Sequence, residues 1–139
     1  MRKIGIIAVL SLMVLALAAV PALAARPHEV TNNPITCTLN DNNTVTCSGS
    51  VAGLGNQPVR AVVDVAFACE TRSGSNQPGG HIQAKSGLIT PTNGRINFRL
   101  TTGPATCPPG LNPVVGDTAT VSIFSAGGTL LFRKTVDIT

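Results

Sequence analysis

From residue 34 onward, apolar and polar side chains alternate in short runs separated by turn-forming residues, and no stretch sustains a 3.6-residue period. Period-two alternation puts successive side chains on opposite faces of a strand, one dry and one wet. A first hairpin is predicted over 34–39 and 44–52, joined by Asn40-Asp41-Asn42-Asn43. Ile35, Cys37 and Leu39 share one face of its first strand, and Val45, Cys47 and Val51 share one face of its second. Gly53 to Pro58 is a turn cluster. The clearest strand follows over 59–70, with Val59, Ala61, Val63, Val65, Phe67 and Cys69 facing one way. Its length predicts a bend or a change of partner midway. A polar, glycine-rich loop is expected over 71–80, and a weak strand over 81–85, extended by 88–90. A good strand follows over 95–101, with Ile96, Phe98 and Leu100 inward. A long loop over 102–113 carries Pro104, Pro108, Pro109, Pro113 and Cys107. The last hairpin spans 117–126 and 129–138, with Gly127-Gly128 as a two-residue turn of type I′ or II′. That register sets Ile123 opposite Phe132 on the inner face and Phe124 opposite Leu131 on the outer face.

About seven short strands with regular turns predict an all-β immunoglobulin-like sandwich of antiparallel strands, with a small β-barrel as the alternative. Four cysteines follow in an even count, with no C-x-x-C and only two histidines, so disulfides are favoured over zinc. Centring the first hairpin on Asn42 places Cys37 opposite Cys47, both inward and within bonding reach. Cys69–Cys107 would then tie the proline-rich loop to the end of the long strand.

The segment ahead of this body changes the picture of where it works. Arg2 and Lys3 precede an apolar run over 4–20, and Pro21 leads into Ala22-Leu23-Ala24. This is the layout of a signal peptide over 1–24, with cleavage after Ala24, and it predicts an extracellular, disulfide-permissive setting. The 22 uncharged residues of 4–25 could also span a bilayer, so an uncleaved membrane anchor is the alternative. Residues 25–33 are read as a flexible arm and 34–139 as one domain. Without Arg2 and Lys3, eight of the ten cations remain against six acids, a net charge of +2. Such a balance gives no steering toward nucleic acid or anionic lipid, and no membrane insertion is expected after cleavage. Tryptophan and tyrosine are absent and four phenylalanines are the only aromatics, which argues against stacking platforms for sugars or single strands.

The segment Cys47-Ser48-Gly49-Ser50-Val51-Ala52-Gly53-Leu54-Gly55-Asn56, with Asn76-Gln77-Pro78-Gly79-Gly80 further on, resembles stretches of small secreted bacterial β-sandwich proteins without an assigned activity. The likeness covers about the first half of the chain after the leader. It implies export and a β fold, and it brings no functional residues with it.

Candidate chemistry is sparse. A serine triad needs a histidine held by an acid and aimed at a hydroxyl. His28 falls in the arm, His81 starts a strand, and no G-x-S-x-G elbow occurs. Glu29, Asp41, Asp64, Glu70, Asp117 and Asp137 read as solvated charges rather than a carboxylate pair. Asn40–Asn43 offers one carboxylate, too few for calcium, and suits a tight turn; Asn42-Asn43-Thr44 matches a glycosylation sequon. No catalytic residue, metal or cofactor is therefore assigned. Two features offer a contact, the outward pair Phe124–Leu131 and the loop with Pro104, Pro108 and Pro109 braced by Cys107, although ordinary packing for the pair and a stapled structural crossover for the loop are the favoured readings. The expectation is a secreted or envelope-associated, non-enzymatic module acting on a protein or cell-surface partner. The alternative is a secreted protease inhibitor presenting loop 102–113, and an enzyme of unknown type is third.

Overall fold

The computed structural model describes residues 26–139; the expected leader and its cleavage site lie outside the described residues. Nine strands follow in order: β1 His28–Glu29, β2 Thr36–Leu39, β3 Val45–Ala52, β4 Val59–Glu70, β5 Asn76–Lys85, β6 Ile96–Thr101, β7 Asn112–Val115, β8 Thr118–Ser125 and β9 Leu130–Asp137. The seven predicted strands are all present, with the short β1 and β7 added to them.

Two antiparallel sheets face each other. In the first, β3 is central, with β6 on one side and both β1 and β2 on the other. In the second, β4 pairs with β5 along one flank; on its other flank β8 occupies the first half and β7 the second, with β9 outside β8. The predicted mid-strand change of partner therefore occurs, near Asp64 to Phe67. The sheets meet along one side, where Cys37 bridges Ile138 in parallel and Thr139 exchanges backbone hydrogen bonds with Cys37 and Leu39 at 3.0 and 3.1 Å. On the opposite side β5 and β6 do not pair, so the body is a sandwich and not a closed barrel.

The alternation read from the sequence explains the core. Val45, Cys47 and Val51 of β3, with Ile96 and Phe98 of β6, pack against Val59, Ala61, Val63 and Val65 of β4 and Val121 and Ile123 of β8. Burying a side chain such as Val or Ile contributes about 1.5–3 kcal/mol, and branched Cβ atoms suit the pleated surface. The Cys37–Cys47 disulfide joins directly opposed residues of β2 and β3 inside this core, with Cα atoms 4.1 Å apart. Cys69–Cys107 is the second bridge, with Cα atoms 5.8 Å apart.

Several local expectations are corrected. The loop expected over 71–80 is a turn at 71–75, after which Asn76 already pairs with Glu70. Here β4 runs long and offers a template, and Pro78 is tolerated because β5 is an edge strand. The loop expected over 102–113 ends at Leu111, where β7 begins and Pro113 pairs with Cys69. The segment read as a loose arm carries β1, which pairs with Val51 and Ala52, and Val30 N–H donates to the Ser50 carbonyl at 3.1 Å. Leu39 has inward parity but is 43% exposed at the last position of β2. In the last hairpin, Ser125 N–H donates to Thr129 O at 2.8 Å, which encloses three residues, Ala126-Gly127-Gly128, and not two. Gly128 takes φ +92° there, and a bulge follows. Ile123 still pairs with Phe132, but Phe124 pairs with Leu130. Leu131 becomes the extra residue of the bulge and packs against the core.

Candidate functional site

Loop 102–111 joins β6 to β7 at the end of the sandwich where β4 finishes. Three anchors hold it. Thr102 is buried; its N–H donates to Val45 O at 2.9 Å and its Oγ1 accepts the Val45 N–H at 3.0 Å. Ala105 is also buried and its N–H donates to Asn43 O at 3.0 Å. The third anchor is the Cys107–Cys69 disulfide. Between and beyond these points the chain turns outward. Pro104 and the Pro108-Pro109-Gly110 tip are exposed. Leu111 N–H closes that tip on Pro108 O at 3.2 Å, with Gly110 at φ +87°. Proline followed by a positive-φ glycine is type II turn chemistry. The neighbouring Asn40–Asn43 turn is closed by Asn40 N–H to Thr44 O at 2.8 Å, with Asn43 at φ +61°. Asn42 Oδ1 caps it by accepting from the Thr44 hydroxyl at 2.6 Å.

The outer face of the second sheet carries the other expected contact residues. Phe124 lies half-buried there beside Arg60, its partner on β4, and lines a groove of about 320 Å³ with Val62, Gln83 and Lys85. Leu131 does not join it, since the bulge sends Leu130 to that face. On the same face His81 Nδ1 lies 3.1 Å from Asp64 Oδ2, and Gln83 Nε2 donates to Asp64 Oδ1 at 3.2 Å. The strand partners are Ala66 for His81 and Thr120 for Asp64, and the histidine and acid form an exposed hydrogen-bonded pair. His28 sits on the first sheet, far along the chain register from Asp64, and its Nδ1 contacts Arg26 O at 2.8 Å.

Glu29, expected as a solvated charge, is a joint between the sheets. Its Oε1 accepts from Lys134 Nζ at 2.7 Å and its Oε2 accepts the Ile35 N–H at 2.8 Å. The Lys134 hydrogen bond holds the carboxyl below its ordinary range, burial opposes this, and the Ile35 N–H adds to the lowering.

A cleft of about 1060 Å³ opens at the other end of the sandwich, between residues 28–32 and 89–97. Sequence reasoning missed it, although one signal was present. Asn93-Gly94 is the dipeptide of a type I′ turn, and here Thr92 and Arg95 exchange backbone hydrogen bonds at 2.9 and 3.0 Å around Asn93 at φ +52° and Gly94 at φ +75°. The turn delivers Arg95 to the cleft. Behind Arg95 and Asn97, Ser50, 0% exposed, lies on the face of β3 that alternation predicts to be wet. Asn33 Nδ2 donates to the Ser50 hydroxyl, which donates to Asn97 Oδ1, and Arg95 Nη2 approaches it at 3.4 Å.

Among the described residues no group of three or more His, Cys, Asp or Glu side chains could hold a metal ion, and no helix is long and apolar enough to cross a membrane. The chain matches no family model, no curated protein and no solved structure.

Proposed function

We propose that this protein is an exported, non-enzymatic module of immunoglobulin-like type that acts by surface contact with a protein or cell-surface partner. The observation that carries this reading is loop 102–111. Two buried residues and a disulfide fix its base, and an exposed proline-glycine tip protrudes from it. A loop held in one shape loses little conformational freedom when it meets a partner, which favours binding. The order β6–β3–β2 against β5–β4–β8–β9, with a parallel pairing of β2 to the segment after β9, supports the immunoglobulin-like assignment. The two disulfides support an oxidising compartment, and the basic, apolar, small-residue order of 1–24 supports a cleaved leader.

The test compares the oxidised protein with a variant carrying Pro108→Ser, Pro109→Ser and Gly110→Asp in retention on the surface of the producing cells. Retention should fall at least about tenfold while the unfolding midpoint stays within a few degrees. Equal retention would remove the loop from the reading, and robust turnover on a broad hydrolase panel would reject the non-enzymatic assignment.

The braced base also favours a second reading, a protease inhibitor that presents the same loop. Mixing with common serine and cysteine proteases separates the two. Stoichiometric inhibition with loop 102–111 intact supports the inhibitor, and cleavage within the loop without inhibition excludes it.

A further inference from the structure

The cleft at the end opposite the braced loop has a donor set without a counter-charge. Arg95 is exposed, and no carboxylate lies within ion-pair distance of it; the only ion pairs among the described residues are His81–Asp64 and Lys134–Glu29. Among the described residues Glu29 is the only acid lining the cleft, and both its oxygens are already occupied by Lys134 and the Ile35 N–H. Its charge is thus offset by a lysine at 2.7 Å. Around Arg95 stand the side chains of Asn32, Asn93 and Asn97, with Ile89 and Ala52 supplying apolar wall.

The position of Arg95 is built. The Asn93-Gly94 turn fixes its backbone, and the fully buried Ser50 hydroxyl lies 3.4 Å from one guanidinium nitrogen. Asn33 and Asn97 hold that hydroxyl in turn. A guanidinium has five N–H donors in a planar fork. One nitrogen leans on Ser50, which leaves the rest of the fork for a ligand. The fork matches a carboxylate, which it grips through two parallel hydrogen bonds. The amides flanking it both donate and accept, as hydroxyl and peptide groups of a small polar molecule require.

We propose that this cleft is a binding site for a small, hydrogen-bonding ligand with one carboxylate, gripped by Arg95 and flanked by Asn32, Asn93 and Asn97. A carboxylated sugar and a peptide C-terminus share this chemistry. The site is separate from loop 102–111, so it stands or falls independently of the surface-contact reading.

The test is amide and arginine side-chain NMR of the oxidised full chain titrated with D-galacturonate and, separately, with N-acetyl-Ala-Ala; D-galactose, N-acetyl-Ala-Ala amide and sodium acetate serve as controls. One of the two carboxylates should produce saturable shifts at Asn93, Gly94, Arg95 and Asn97, and the one that does so at lower concentration identifies the source. Its neutral counterpart and acetate should bind at least about tenfold more weakly. Arg95→Gln should weaken binding at least about tenfold with little change in unfolding midpoint, Arg95→Lys should fall between because a point charge lacks the fork, and Arg99→Gln, on β6 outside the cleft, should bind like the parent. The proposal is overturned by no saturable shift with either carboxylate, by acetate or a neutral counterpart binding as well, or by Arg95→Gln binding as the parent does.

Discussion

The two ends of the sandwich are held by different forces. At one end, loop 102–111 is fixed by a disulfide and two buried anchors, and its proline-rich tip is exposed. At the other, residues 53–58 and 86–95 are held without a covalent bridge, by hydrogen bonds, left-handed turns and the packing of Leu54 and Ile89 on the core, and a concave cleft remains. There Leu54 N–H donates to Gly94 O at 2.9 Å, and Ser86 N–H to Ala61 O at 2.9 Å. Covalent bracing suits a surface that must protrude without collapsing. Hydrogen-bonded bracing suits a pocket whose rim side chains must remain open to a ligand. One β scaffold supports both because its strands run the full distance between them.

The largest break in this comparison should come from Cys69→Ala with Cys107→Ala. The bridge spans a sequence separation of 38, for which the chain-entropy model gives about 4 kcal/mol. Urea titration should show that loss, and limited proteolysis should now cut within 103–110. Replacing Cys37 and Cys47 by alanine, at a separation of 10, should cost about 3 kcal/mol and leave the loop resistant. Equal nicking in both variants would mean that the buried anchors, not the bridge, hold the loop.

The counterpart at the open end is Gly53→Ala. Gly53 has φ +76°, and an added Cβ would lie 2.1 Å from Arg26 O. Left-handed strain alone costs about 1–2 kcal/mol, and the clash would also push β1 away. Thermal melts should register the loss, and amide exchange should accelerate at Glu29 and Val30 but not at Ala105.

Smaller still is Glu29→Gln, about 0.5–1 kcal/mol, since both partners are partly exposed. The pH dependence has a definite sign. The folded carboxyl is lowered, so its stabilisation is complete above the unfolded value of about 4.3 and is lost as pH falls through the folded value. Parent and variant should therefore converge in stability in acid and separate near neutrality. The smallest effect belongs to Asp64→Asn, on the sheet face between the ends. Its exposed pair with His81 should contribute less than about 1 kcal/mol, and neither proteolysis of the loop nor the cleft resonances should move.

Much of this architecture is legible in the sequence, because period-two alternation reports burial directly. The inward sets on β3, β4 and β6, the Cys37–Cys47 pairing and the mid-strand change of partner on β4 all follow from it. What could not be read depends on neighbours. Asn76 to Gly80 looks like loop by composition, yet the overhanging end of β4 recruits it as strand. Pro113 lacks an N–H, yet an edge accepts it. A single bulge moves Leu131 to the core and puts Leu130 beside Phe124. Of the residues expected at a contact, Pro104, Pro108 and Pro109 are exposed on the loop that composition predicts. The cleft escaped because its members, Asn32, Asn93, Arg95 and Asn97, lie on separate segments and meet through the turn at 92–95 and the pairing of β6 with β3.

The parallel bridge between Cys37 and Ile138 bears on the order of assembly. Thr139 reaches back across 102 positions to the carbonyl of Cys37, while Cys37 and Cys47 are ten positions apart. A chain delivered amino end first can therefore lock its opening hairpin by oxidation long before the seam between the two layers can be sewn. Until then the flank of β2 is an unsatisfied edge, and a chaperone or a sister molecule that offers a strand there would compete with the protein's own tail.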